Sequence, residues 1–146
     1  MIYYPVFLDL RGKPVLVVGA GKVALRKTRG LLEAGARVTV VSPRWEPAFD
    51  EMPVMLLRRA FEPGDIEGAS LVFTATDIRE VNRSVALLAK ARAIPVNVAD
   101  APPECDFLVP ARVRRGSLQV AISTGGQDPR RAVAIRRRIE DVLEGE

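Results

Sequence analysis

The residues best suited to chemistry sit in one glycine-bearing turn. Gly19-x-Gly21-x-x-Ala24 follows the apolar run Val15–Val18 and leads into a helical pattern. In a strand–turn–helix unit, Gly19 permits the sharp turn, Gly21 lets a pyrophosphate approach the backbone, and Ala24 keeps the helix close to the sheet. The free N–H groups and positive dipole end of that helix, at Lys22 and Val23, then hold the phosphates. The competing reading is a strand–helix turn whose glycines are purely steric. At the end of the second strand such fingerprints usually carry Asp or Glu for the ribose 2′-hydroxyl. This chain has Ser42-Pro43-Arg44. Ser42 suits a ribose hydroxyl and Arg44 suits a 2′-phosphate, so the residues leave NAD and NADP both open. A second chemical feature lies between Pro110 and Arg138, where eight arginines, Arg112 and Arg130 among them, face a single acid, Asp128. That cluster calls for an anion (phosphate, polycarboxylate or nucleic acid) or forms a solvated basic face. Nucleic acid is the weaker option, because the segment has no aromatic residue to stack on bases.

Composition narrows the field. A chain of 146 residues, 48% hydrophobic, holds one domain or one domain with a small appendage. No apolar run approaches the ~18 residues of a membrane helix. The N-terminus has no basic segment of a signal peptide, so the cytoplasm is the expected compartment. Cys105 is the only cysteine and there is no histidine. An internal disulfide and a Cys/His zinc site are both excluded, and no metal site is expected from the spacing of the acids.

Several elements must position these residues. An apolar lead-in, Tyr3–Leu10, is expected to cover a sheet edge. Strand 1 ends at Val18, a helix spans Lys22–Ala34 and stops at Gly35, and strand 2 spans Arg37–Val41. Trp45–Asp50 reads as a loop or short helix, Val54–Arg59 as strand 3, Pro63-Gly64-Asp65 as a turn, and Leu71–Ala75 as strand 4. Asp77 is expected to cap the next helix, with Glu80 completing a capping box. Ile94–Val98 is strand 5. The fold class is therefore α/β, a Rossmann-type, mostly parallel sheet, with ligands at the carboxyl ends of its strands. Gly19–Gly21, Ser42, Thr74-Ala75-Thr76-Asp77 and Asn97–Asp100 are expected to face one crevice. Beyond Pro102-Pro103, Phe107–Val113 and Ser117–Ile122 form a candidate hairpin. Asp128-Pro129 opens a helix lined by Ala132, Ile135, Ile139 and Val142. The expected division is 1–110 for the nucleotide-binding domain and 111–146 for the hairpin and helix, a piece too small to bury much core alone.

Taken in order, Phe7-Leu8-x-Leu10, Val17–Lys27, Leu31–Ala36, Thr74–Asp77 with Val81-Asn82, Val96–Ala101, Phe107-x-x-Pro110 and Val120–Gly126 match one family nearly end to end. The chain resembles the precorrin-2 dehydrogenase part of siroheme synthases. The resemblance implies NAD-dependent oxidation of precorrin-2 to sirohydrochlorin, with Fe²⁺ insertion in some members. It also implies a homodimer whose hairpin-and-helix piece forms much of the interface. It implies that Asp100, in Asn97-Val98-Ala99-Asp100-Ala101, is tied to the chemistry. Thr124, beside Gly125, stands where some relatives have a second serine. Without histidine a carboxylate is the natural proton acceptor, although Asp before Ala101-Pro102 also suits a plain turn. Arginine forks suit a polycarboxylate tetrapyrrole, so Arg112, Thr124, Gly125 and Arg130 are the expected substrate contacts. The expected cofactor contacts are Gly19, Gly21, Lys22, Val23, Ser42, Pro43, Arg44, Thr74, Ala75, Thr76 and Asn97. Family members continue past the last helix with a further helical segment. For a chain ending at Glu146, the expectation is a more open substrate pocket, one completed by another chain, or a reduced version of the protein. A non-catalytic NAD-sensing module is the alternative function.

Overall fold

The apolar run that precedes the first glycine is buried on both faces, as its lack of polar alternation requires. It forms β1 (Pro14–Val18), the central strand of a parallel sheet with β2 (Arg37–Val41), β3 (Met55–Leu57), β4 (Leu71–Thr74) and β5 (Val96–Val98). The strand order is β3-β2-β1-β4-β5. Every neighbouring pair is parallel. The connections therefore switch direction between β1 and β4, where open α/β sheets bind ligands. The computed structural model describes residues 1–145. These fall into two compact units, 7–107 and the combination of 1–6 with the segment from Leu108 onward.

In the sheet unit, alternation along β1 feeds two cores. Val15 and Val17 pack with Val38, Val40, Phe73 and, from α1 (Lys22–Glu33), Ala24 and Leu31. Leu16 and Val18 pack with Val41, Val72, Val96 and, from α2 (Arg79–Ala91), Val85, Ala86 and Ala89. The sheet edge next to β5 is covered by the chain that follows it. Asp106 accepts a hydrogen bond from Val96 N through its carboxylate (3.0 Å) and donates its own N–H to Val96 O (2.8 Å). Val98 N donates to Cys105 Sγ (3.1 Å). The apolar lead-in, expected to cover a sheet edge, forms no strand, and Met1–Asp9 are exposed.

Several boundaries differ from expectation for visible reasons. Strand 3 is shorter because Arg59 turns away to pair with Asp65. Strand 5 starts at Val96 because the end of α2 closes through Ala93, whose φ is +54°, and through Ile94 N bonding Ala89 O (2.9 Å). The β3–β4 link contains only a 3-10 turn, Pro63–Ile66, which buries Ile66. Pro47–Glu51 is likewise 3-10. Asp77 does not cap α2. Ile78 holds the cap position with no side-chain cap bond, and the Thr76 hydroxyl takes the Ile78 N–H at 3.2 Å.

In the second unit, β6 (Ala111–Arg115) and β7 (Leu118–Ile122) pair antiparallel around Gly116, whose φ is +59°. The first hairpin strand starts later than expected. Phe107 belongs to the sheet unit, where its ring meets Phe73 edge-on at 5.4 Å. Helix α3 (Pro129–Glu144) begins as expected, with Asp128 Oδ1 accepting from Arg131 N at 2.9 Å. Its inner side runs through Ala132, Ile135, Ile139 and Leu143. Val142, expected on that side, is 66% exposed, because the helical turn carries the stripe to the following residue. No helix among the described residues is long and apolar enough to cross a membrane.

Candidate functional site

The turn after β1 is built by two glycines with different tasks. Gly19 has φ +110°, a region that L side chains rarely adopt. A Cβ there would run into the backbone carbonyl of Ala75, 2.7 Å from its carbon. Backbone bonds lock this close approach, Gly19 N to Val41 O (2.9 Å) and Ala75 N to Val18 O (2.8 Å). Gly21 caps α1 with φ −83°, a conformation open to any residue, and nothing among the described residues lies within 4 Å of where its Cβ would project. Neither strain nor packing within the chain requires a glycine there. The space over Gly21 is open, and the helix end beside it has no side-chain cap and no acid in its first turn. A bare N-terminus next to open space fits a pyrophosphate.

This turn opens into a crevice of about 1010 Å³ at the carboxyl ends of the strands. Gly19, Gly21, Lys22 and Val23 line it from the turn, and Ser42, Pro43, Arg44 and Trp45 from the end of β2. Ala75, Thr76, Asp77 and Ile78 line it from the end of β4, with Glu80, Val81 and Ser84 from α2. Ser42 is buried, and its hydroxyl donates to the carbonyl of Arg44, which fixes the bend at the rim. The Arg44 side chain is exposed there. Beyond it, the Arg58 guanidinium lies 4.5 Å over the Trp45 ring and pairs with Asp50 at 2.6 Å.

Two expected cofactor contacts do not line the crevice. Thr74 is fully buried, and its hydroxyl donates to Asn82 Oδ1 at 2.7 Å. Asn97 is turned inward, its Nδ2 donating to Phe107 O at 3.0 Å. In both, the side chain ties the sheet to its flanking chain. Asn82, part of the family match, has a role that sequence reading did not assign. Its Oδ1 also accepts from Thr76 N (3.0 Å) and Thr76 Oγ1 (2.7 Å), and its Nδ2 donates to Thr76 O (2.9 Å). One buried amide thus shapes the turn that lines the crevice. The available signal was an amide on the otherwise apolar stripe Asn82, Val85, Ala86 and Ala89.

Asp100 follows β5 and is absent from the crevice lining. It accepts a hydrogen bond through Oδ1 from Arg79 Nη1 at 3.1 Å, and the same guanidinium pairs with Glu104. Glu104 first, and Asp100 after it, hold Arg79 above the usual guanidinium range. Burial raises the Cys105 thiol, which exchanges hydrogen bonds with the backbone of Val98, so it is a poor nucleophile. In the hairpin-and-helix unit, Thr124 and Gly125 are half-buried in a closed turn where Asp128 N donates to Thr124 Oγ1 at 2.9 Å. Gly125 has φ +66°, and a Cβ there would meet the Tyr3 ring at 3.7 Å. Arg112 and Arg130 are exposed.

A parallel sheet with a switch point, a glycine turn and a bare helix end defines a dinucleotide-binding domain of the Rossmann type. Residues 6–111 match the family described as "Putative NAD(P)-binding", and residues 115–141 match "Sirohaem biosynthesis protein central". The chain is 49% identical over 143 residues to a siroheme synthase of Methylobacillus flagellatus, covering 95% of this chain and 31% of that protein. It is 46% identical over 147 residues to a siroheme synthase of Methylococcus capsulatus, covering 98% of this chain and 31% of that protein. The chain thus spans about a third of the length of these curated relatives. Among solved structures, SirC, a precorrin-2 dehydrogenase, superposes with a TM-score of 0.80 at 31% identity, over 98% of this chain and 70% of that one. The chain belongs to this NAD(P)-binding family of siroheme biosynthesis proteins, to which the precorrin-2 dehydrogenase SirC is similar in fold and sequence.

Proposed function

We propose that this chain oxidises precorrin-2 to sirohydrochlorin with NAD⁺, as a step of siroheme biosynthesis. The observation that carries the cofactor part is the open space over Gly21 beside the uncapped end of α1. The likeness to SirC supports the substrate. Bound NAD⁺ supplies the hydride acceptor. The N–H groups of α1 hold the pyrophosphate, and Ser42, Pro43 and Arg44 meet the ribose. Ala75 and Thr76 bound the opposite wall, in the place fixed by Asn82. Loss of two electrons and two hydrogens from the macrocycle leaves one proton to be removed, and Asp100 accepts it. Arg112 and Arg130, with Thr124 and Gly125, bind the substrate carboxylates. The chain works as a homodimer, a reading supported by the exposed apolar side chains Leu118, Val133 and Val142 in the hairpin-and-helix unit.

The test follows sirohydrochlorin absorbance with precorrin-2 and NAD⁺, with NADP⁺ in parallel. Turnover with NAD⁺ is expected, and Asp100→Asn is expected to lose it while NAD⁺ affinity holds. Wild-type turnover in the variant would remove Asp100 from the chemistry. Addition of Fe²⁺ to the same reaction reads chelatase activity, and sedimentation reads the dimer.

A further inference from the structure

The guanidinium that joins Asp100 to Glu104 lies outside every role assigned so far. Arg79 is the first residue of α2, where the positive end of the helix dipole disfavours a cation. Its side chain is about 41% exposed and those of its partners 38% and 34%. Pairs this exposed add little to stability. Stability therefore does not explain a cation at that helix end.

The backbone around Asp100 is already fixed without it. Ala99 N bonds Thr74 O (3.0 Å), Ala101 N bonds Val98 O (3.3 Å), and Glu104 N bonds Ala101 O (2.9 Å). Among the described residues, Arg79 makes the only side-chain bond that sets the direction of the Asp100 carboxylate. It holds one oxygen, Oδ1, and leaves Oδ2 to accept a proton. Glu104, from the 3-10 turn Pro102–Glu104, anchors the other arm of the fork. Only a planar fork spans two carboxylates on two turns in this way.

We propose that Arg79 is a positioning residue that aims Asp100 for proton removal, with Glu104 holding Arg79 in place. This rests on the reading of Asp100 given above. Arg79, from α2, is the charged group bonded to Asp100, and Glu104, from the 3-10 turn, pairs with the same guanidinium.

The test compares Arg79→Ala, Arg79→Lys, Asp100→Asn and the double variant Arg79→Ala/Asp100→Asn in the full chain, with precorrin-2 and NAD⁺. Arg79→Ala is expected to lower kcat by about 10–100-fold, the scale of a misaimed group, with KM for NAD⁺ within about twofold. Arg79→Lys should restore part of kcat. In the double variant the loss should not exceed that of Asp100→Asn alone, since the two act as one unit. Wild-type kcat in Arg79→Ala, beside an inactive Asp100→Asn, overturns the positioning role and leaves the reading of Asp100 standing. Measured on the residual turnover of Asp100→Asn, a loss that multiplies in the double variant also overturns it. Without any wild-type turnover the substrate reading fails. The contact is then judged by the ¹³C carboxyl resonance of Asp100, which should move in Arg79→Ala and return toward wild type in Arg79→Lys. An unmoved resonance overturns the proposal.

Discussion

Replacing each glycine of the fingerprint with alanine should separate folding from binding. In Gly19→Ala the methyl group forces a side chain into φ +110° and against the Ala75 carbonyl. The backbone strain costs about 1–3 kcal/mol. Relief of the clash requires shifting the Gly19 turn away from Ala75, at the expense of the bonds Gly19 N to Val41 O and Ala75 N to Val18 O, each about 1 kcal/mol. The sum, about 3–5 kcal/mol, is a large part of the ~5–15 kcal/mol that holds a domain together. It should lower Tm by roughly 10–15 °C. Gly21→Ala has allowed backbone and open space, so its stability should stay within about 0.5 kcal/mol of wild type. Its methyl group occupies the space proposed for the pyrophosphate. NAD⁺ binding should weaken at least about tenfold, or ~1.4 kcal/mol. Calorimetric unfolding reads the first variant and titration calorimetry with NAD⁺ reads the second. Wild-type NAD⁺ affinity in Gly21→Ala would refute the reasoning about the cradle, and wild-type Tm in Gly19→Ala would refute the reasoning about strain.

Further outcomes follow from the residues around the crevice. Asn82→Ala leaves the fully buried Thr74 hydroxyl and the Thr76 backbone without their partner; a loss of about 2–4 kcal/mol is expected in denaturant unfolding, with weaker NAD⁺ binding because the Thr76 turn loosens. Asp65 is held below the ordinary carboxyl value of 3.8, first by the hydrogen bond from Arg59. Its contribution is therefore fully present above 3.8 and disappears as pH falls through the lowered value. Asp65→Asn should be less stable than wild type at neutral pH, and acid unfolding curves should show the gap closing only well into the acid range. Cys105, raised by burial, should react with iodoacetamide far more slowly in the folded protein than in denaturant at the same pH; equal rates would contradict its burial.

Local encoding explains which parts of the fold could be read in advance. The stretch Val15–Ala24 contains its own instructions, a doubly buried run followed by glycines and a helix stripe, and β2 appears at the expected Arg37–Val41. Asp128 capping α3 was legible for the same reason, since cap and helix are adjacent. The start of α2 was not. Asp77 has the right chemistry for a cap, but Asn82, six residues past Thr76, binds the turn and leaves the Thr76 hydroxyl to the Ile78 N–H. Thr74 and Asn97 have ribose-binding chemistry, yet each is taken by a partner on another element. Residue type shows what a polar group is able to bond. Its direction depends on which buried partner reaches it first, and that partner comes from the packing.

The same distinction separates the two halves of the proposed reaction. Cofactor binding rests on backbone, the open face of Gly21 and the N–H groups of α1, which a contiguous stretch of sequence builds by itself. Proton removal rests on a side chain whose aim comes from residue 79, twenty-one positions earlier. Substitutions near Gly19–Ala24 should therefore lower affinity for NAD⁺ and kcat together. Substitutions in the Arg79–Asp100–Glu104 group should lower kcat alone, because none of the three side chains lines the crevice. Glu104→Gln is the sharpest instance. It keeps the hydrogen-bonding shape and removes one of the two charges that hold Arg79. NAD⁺ affinity should be unchanged and kcat should fall, though by less than in Arg79→Ala. A parallel loss of NAD⁺ affinity in Glu104→Gln would show that the two halves are built as one.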